Sequence, residues 1–250
     1  MCAARACCTL RRMKPVLILQ HLDADGPGYL DTWLRREGRS FELFNSQAGQ
    51  SFPDSMQDYA ALAVLGGEMS ANDPLPSLRQ AERLILQAMD LQRPVIGHCL
   101  GGQLMARALG AKVASSPLPE IGWHRVRLRP GEAAQSWFGG QQELVVFQWH
   151  YDAFDLPEGA EPLASSDACP CQAFAIGPHL AMQFHVELDD DKLQAWTSTH
   201  DERFLAATIV PTVHSAARMR AGLAEHLEAQ QRLAARIYAR WLVLADQAAR

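Results

Sequence analysis

Cys99 stands in the run Pro94-Val95-Ile96-Gly97-His98-Cys99-Leu100-Gly101-Gly102-Gln103, between an apolar stretch and a segment of helical character. Gly97, Gly101 and Gly102 allow a sharp strand-to-helix turn and a close approach of backbone to substrate, the setting of a nucleophile elbow. A helix starting at Leu100 would direct its N-terminal N–H groups and positive dipole end at the sulfur, which favours the thiolate. For such a cysteine taken alone, a small buried hydrophobe is the competing reading. Downstream, Ala181-Met182-Gln183-Phe184-His185-Val186-Glu187 reads as a short apolar strand ending in a histidine, with a carboxylate two residues on. On a strand, His185 and Glu187 would project to one face. Thiol chemistry needs this pair: an imidazole to take the proton and return it to the leaving group, and a carboxylate to fix the tautomer and stabilise the imidazolium.

Together the two segments resemble the class I (triad) glutamine amidotransferases, whose patterns are a G-x-C-x-G-x-Q elbow and a downstream Q-F-H-P-E. The elbow matches at Gly97, Cys99, Gly101 and Gln103, and the second motif at Gln183, Phe184, His185 and Glu187, with Val186 in place of the family's proline. Leu65-Gly66-Gly67, after the apolar run Ala61 to Leu65, is a third match. The resemblance implies an oxyanion hole made by the backbone N–H groups of Gly67 and Leu100. Removing one such donor costs about 2.7–4 kcal/mol in the barrier. Gly66 to Asp73, Glu120 to Trp123 and Gln148 to Pro157 are further similar to free-standing GMP synthase-like amidotransferases and to plant gamma-glutamyl peptidases. The likeness runs from about Lys14 to Asp190. By the same resemblance Gln103 helps to hold glutamine, and His150 and Tyr151, with Asp152, lie on a loop lining the glutamyl pocket. His98, next to the nucleophile, is expected behind the triad or on the substrate-side wall.

The implied reaction is attack by Cys99 on a gamma-glutamyl amide, with His185 protonating the departing nitrogen and Glu187 orienting His185. Water then releases glutamate from a thioester. This half-reaction requires no metal or organic cofactor. Its substrate is glutamine or a gamma-glutamyl compound, and a separate ammonia-accepting synthase is a possible partner, since no P-loop pattern follows the triad. Two alternatives stay open beside the amidotransferase or glutaminase reading: a gamma-glutamyl peptidase or hydrolase, and a non-catalytic regulatory binding module.

The elements that must position these residues alternate. Val16–Leu19, Phe41–Phe44, Ala61–Leu65 and Val95–Ile96 read as strands, and Tyr29–Arg36, a segment carrying Leu78 to Met89, and Leu100–Leu109 as helices. This βαβ order predicts an α/β fold: a single domain with a mostly parallel central sheet flanked by helices, flavodoxin-like, its reactive loops at the carboxyl ends of the strands. Beyond it, Trp123–Leu128, Glu143–Gln148 and Phe174–Ile176 read as shorter strands. From about Asp191 the chain reads as a helical extension, with Leu223, Leu227, Leu233, Ile237, Trp241 and Leu244 forming one apolar face.

With 250 residues, 48% of them hydrophobic, the chain can bury a full core. Its net charge of −5 gives no basic signature for nucleic acid, and no apolar run approaches the ~20 residues that span a bilayer. Residues 1–13 form an Arg-rich leader with Cys2, Cys7 and Cys8, expected to be disordered, ahead of one domain over 14–250. The leader lacks an apolar h-region, so a cytoplasmic location is expected. Neither it nor Cys169-Pro170-Cys171 has zinc-ligand spacing, so no metal site is expected.

Overall fold

The computed structural model describes residues 14–198 and 201–248; the leader lies outside them, as does His200. Five strands, β1 (Val16–Gln20), β2 (Phe41–Asn45), β3 (Ala61–Val64), β4 (Val95–His98) and β9 (His179–Met182), pair in parallel in the order β2-β1-β3-β4-β9. Four antiparallel strands continue the same sheet as β8 (Ala173–Ile176), β7 (Glu161–Ser165), β5 (Val113–Leu128) and β6 (Glu143–Phe154). The central parallel strands are apolar throughout because both of their faces are covered.

Successive residues of β1 show how. Val16 and Ile18 join a core with Trp33 and Leu34 of α1 (Tyr29–Arg36) and Ile237, Tyr238 and Trp241 of α8 (Leu223–Ala248). Leu17 and Leu19 face the other way, toward Leu84 and Ile85 of α2 (Pro76–Asp90) and Leu104 and Met105 of α3 (Leu100–Ala108). The sequence pattern located α1 at its observed limits and α3 to within one residue, and Gly110, with φ of +85°, follows the end of α3.

One expectation about the strands changes, and the helical stretch gains detail. The strands expected as Trp123–Leu128 and Glu143–Gln148 are parts of a long hairpin, 16 residues in β5 and 12 in β6. Pro117 and Pro119 fall where the register shifts between Ser115 and Glu120, so no ladder N–H is demanded of them. The stretch after Asp190 contains α5 (Asp190–Ser198), α6 (Glu202–Ala207) and α7 (Ala216–Ala221) before α8. With Ile121, Trp123 and Phe147 of the hairpin, Leu193, Phe204 and Met219 of these short helices build a third apolar cluster. Helix α4 (Glu132–Phe138), not foreseen from sequence, packs Trp137 against the α8 side of the sheet. No helix among the described residues is long and apolar enough to cross a membrane.

Helix α8 is therefore a covering layer of the sheet. Its Trp241 is fully buried and donates its indole N–H to the carbonyl of Pro94, 2.9 Å away, immediately before β4. Trp241→Ala should cost about 3–5 kcal/mol of stability through cavity formation, read as a lowered urea midpoint. A midpoint unchanged within error would mean that α8 is peripheral.

Candidate active site

Cys99 lies between β4 and α3 with φ of +48° and ψ of −106°, a conformation that side-chain-bearing residues rarely adopt. Of order 1–3 kcal/mol of backbone strain is typical of such a position. Its neighbours hold it there. The Cys99 N–H donates to Met182 O at 2.9 Å and its carbonyl accepts from Gln103 N–H at 2.9 Å, tying the turn to β9 and to the first turn of α3. The flanking glycines are required by close packing: a Cβ on Gly97 would lie 2.6 Å from Gly101, one on Gly102 would lie 2.6 Å from Met182 O, and one on Gly101 would strike Val64 O.

His185 and Glu187 meet, but not as two residues on one strand. Strand β9 ends at Met182, and the chain then leaves the sheet in a bend and a turn. The departure follows from the hydrogen bonds: Met182 O is taken by Cys99, His185 N–H donates to Phe147 O at 2.9 Å, and Glu187 O accepts the Tyr29 N–H at 2.8 Å. Val186, the residue replacing proline, is buried in the core beneath this turn. His185 Nδ1 and Glu187 Oε1 end 2.7 Å apart. The imidazole also neighbours the Cys99 side chain, one of the groups that raise its pKa. Cys99 Sγ also lies 3.6 Å from Trp149 O and 3.9 Å from Gln183 Nε2.

Two residues that sequence reading missed complete the cluster. Lys192 Nζ lies 3.0 Å from Glu187 Oε1 and 2.5 Å from Asp25 Oδ1, and donates to Gly26 O at 2.8 Å. The result is a buried alternation of charge: Asp25, Lys192, Glu187, His185. Burial opposes the charged forms of Lys192, Glu187 and His185, and their partners outweigh it. Against that desolvation, Glu187, Cys99 and the hydrogen bonds to both raise His185 to about 10. Lys192, then His185 and His98, hold Glu187 well below the usual carboxylate range against its burial. Asp25 and Glu187 raise Lys192 in the same way. Carboxylate and imidazole atoms of Asp25, His185 and Glu187 lie within 4.8 Å of one another, a set that could hold a metal ion. The Lys192 ammonium already supplies the cation between the two carboxylates.

The remaining expected residues are placed as follows. Gly67, after β3, lies against Leu100: a Cβ on it would come within 2.8 Å of Leu100 Cδ2. Among the described residues, neither the Gly67 nor the Leu100 N–H is taken by a backbone acceptor. Gln103 Nε2 donates to Asp152 O at 3.1 Å, and His150 Nδ1 lies 3.1 Å from the same carbonyl, so these two residues brace one point of β6. Tyr151 faces elsewhere, its ring under the Arg203 guanidinium at 3.7 Å. His98 lies behind the carboxylate, its Nε2 3.9 Å from Glu187 Oε2 and 3.5 Å from the Tyr238 hydroxyl. Burial is the first cause lowering its pKa. Trp196 edges onto the His185 ring at 4.8 Å between centroids.

With this geometry in view, similarity to known proteins becomes decisive. A family model described as glutamine amidotransferase class-I matches residues 31–195. The chain belongs to the class I glutamine amidotransferase family. A putative glutamine amidotransferase-like protein, YfeJ of Salmonella typhimurium, is 30% identical over 210 residues, covering 80% of this chain and 87% of that one. Gamma-glutamyl peptidase 3 of Arabidopsis thaliana is 28% identical over 181 residues, covering 66% of this chain and 71% of its own. The crystal structure of a glutamine amidotransferase from Methylobacillus flagellatus superimposes with a TM-score of 0.88 at 35% identity, over 93% of this chain and 95% of the other. The expected family and α/β fold are thus established.

The charge alternation makes two measurable demands. Lys192→Met leaves two buried carboxylates without their cation, and should destabilise the protein by about 3–5 kcal/mol, measured by chemical denaturation; a loss below about 1 kcal/mol, the scale of an exposed pair, would contradict the buried pairing. The second demand concerns pH. A histidine raised from 6.5 to about 10 contributes stability in full below pH 6.5 and loses it as pH rises toward 10. The melting temperature should therefore decline across that window, and His185→Gln should flatten the decline. Parallel profiles for the two proteins would contradict it.

Proposed function

We propose that the protein hydrolyses the gamma-glutamyl amide bond of glutamine or a related compound through a Cys99 thioester. The observation that carries this reading is the His185 imidazole, bonded to Glu187 at 2.7 Å and set beside the Cys99 side chain at a strained strand-to-helix turn. A protonated His185 beside the sulfur favours a thiolate. Attack of that thiolate on the amide carbonyl would develop an oxyanion, for which the N–H groups of Gly67 and Leu100 are the donors. His185 gives its proton to the leaving nitrogen, and the C–N bond breaks. The now neutral imidazole removes a proton from water, hydroxide attacks the thioester, and glutamate leaves as Cys99 is restored.

In this scheme Glu187 acts through His185, and Lys192 acts through Glu187. Positioning by Gln103 and His150 would be indirect, by fixing Asp152 in the wall that runs beside Trp149 and the sulfur. Where glutamine is the substrate, the released ammonia would go to solvent or to a synthase; among the described residues, the helices from Asp190 onward pack on the same sheet and helix core. An intact Cys99, His185 and Glu187 constellation counts against a purely regulatory binding module.

The test is glutamate release from glutamine and gamma-glutamyl peptides. Cys99→Ala should abolish turnover, and Glu187→Gln should lower kcat by about 10³–10⁴-fold, as expected when an imidazole loses its orienting carboxylate. Glutamate release persisting in Cys99→Ala would exclude the thioester route.

A further inference from the structure

A cleft of about 630 Å³ opens beside the catalytic centre, walled by His21, Asp54, Phe52, Met69, Gln80 and Arg83 among others. It abuts the oxyanion turn: a Cβ on Gly67 would lie 2.6 Å from Met69 Sδ and 3.4 Å from His21 Cβ. On β6, Trp149 O lies beside the sulfur, and Asp152 accepts from Ser70, the neighbour of Met69, at 2.9 Å. His185 lies against Gly66, where a Cβ would come within 2.9 Å of His185 Cε1 and would strike Asp25. Through Asp25, His185 neighbours the segment by which the chain leaves β1, and His21 and Leu22 of that segment line the cleft ahead of the 3-10 turn Asp23–Asp25.

The cleft is far larger than ammonia, which is about the size of a water molecule of ~30 Å³; its volume lies in the range of sites for whole organic ligands. It also holds an unmet polar group. His21 is 1% exposed, and among the described residues neither ring nitrogen has a hydrogen-bond partner. Burial, only partly offset by Asp25, lowers its pKa to about 4, so the ring is neutral at pH 7 and offers one donor and one acceptor. Leaving both unpaired costs free energy, and because both nitrogens are shielded from solvent a ligand recovers it only as the ring turns toward the cleft. Phe52 packs edge-on against it at 5.5 Å between centroids. At the rim, Arg83 donates to Gln80 but has no carboxylate partner among the described residues, and exposed Asp54 is likewise unpaired.

We infer that this cleft is a leaving-group subsite, seating the amine portion of a gamma-glutamyl amino acid or short peptide, with its carboxylate on Arg83 and its amide backbone on His21. The inference rests on the reading of the enzyme as a gamma-glutamyl hydrolase and selects among its substrates. Hydrolysis balances as before: the C–N bond breaks, the nitrogen takes the His185 proton, and a free amino acid or peptide departs into the cleft as water completes glutamate. Phe52 and Met69 supply apolar contact for its side chain.

Gamma-glutamyl-phenylalanine, its C-terminal amide and glutamine separate the contributions, because the first two differ only in the carboxylate. The wild type should prefer the acid to both others by about tenfold or more in kcat/KM. Arg83→Gln, an exposed substitution, should bring the ratio of acid to amide close to one, Asp54→Asn should raise that ratio, and His21→Leu should raise KM for both peptides relative to glutamine. Turnover of glutamine alone, or an acid-to-amide ratio indifferent to Arg83→Gln, would overturn the subsite and leave the hydrolase reading standing. Absence of glutamate release from all three compounds would overturn both.

Discussion

The active centre depends on one buried line of alternating charge. Glu187 is fully buried, and a lone carboxylate there would protonate or drag the turn toward solvent. Lys192, itself 5% exposed, prevents that from one side and His185 from the other, while Asp25 balances the extra positive charge. The four residues come from three separate places: the turn after β1, the turn after β9, and the start of α5. Closing the charge line therefore fixes the relative positions of those segments, and the imidazole is set against the sulfur as a consequence.

Backbone geometry provides the matching constraint on Cys99. Met182 O receives the Cys99 N–H, so the residue that ends β9 also clamps the elbow. The same hydrogen bond that lifts the sulfur out of the sheet starts the bend that carries His185 back over it. Gly97, Gly101 and Gly102 permit the contact, since any Cβ in those positions would collide with main chain. Cys99 and His185 are consequently registered through neighbouring parallel strands, β4 and β9, with α8 anchored to the entry of β4 by Trp241.

Much of this was legible in the sequence, for physical reasons that differ between elements. Buried parallel strands such as Val16–Gln20 are apolar on both faces, and Tyr29–Arg36 presents Leu30, Trp33 and Leu34 at helical spacing, so both declare themselves locally. The elbow was visible because close backbone contact demands glycine. The hairpin of β5 and β6 was truncated in the reading, as the missed first half of β5 carries two prolines. Lys192 was hidden by its company. After Asp189, Asp190 and Asp191 it reads as part of a solvated helix start, and only the packing of α5 against the turn Asp23–Asp25 turns it inward. Asp25 was equally unmarked in a short Asp- and Gly-containing turn. Long-range charge pairing leaves no periodic signature.

Direct titration of His185 tests the central claim most closely. Nitrogen NMR of histidine-labelled protein, with His185→Gln to assign the signal, should show the ring protonated through neutral pH and releasing its proton near pH 10. A midpoint near the ordinary 6.5 would mean that Glu187 and its buried partners do not control the imidazole, and the charge line would lose its place as the organising interaction of the site.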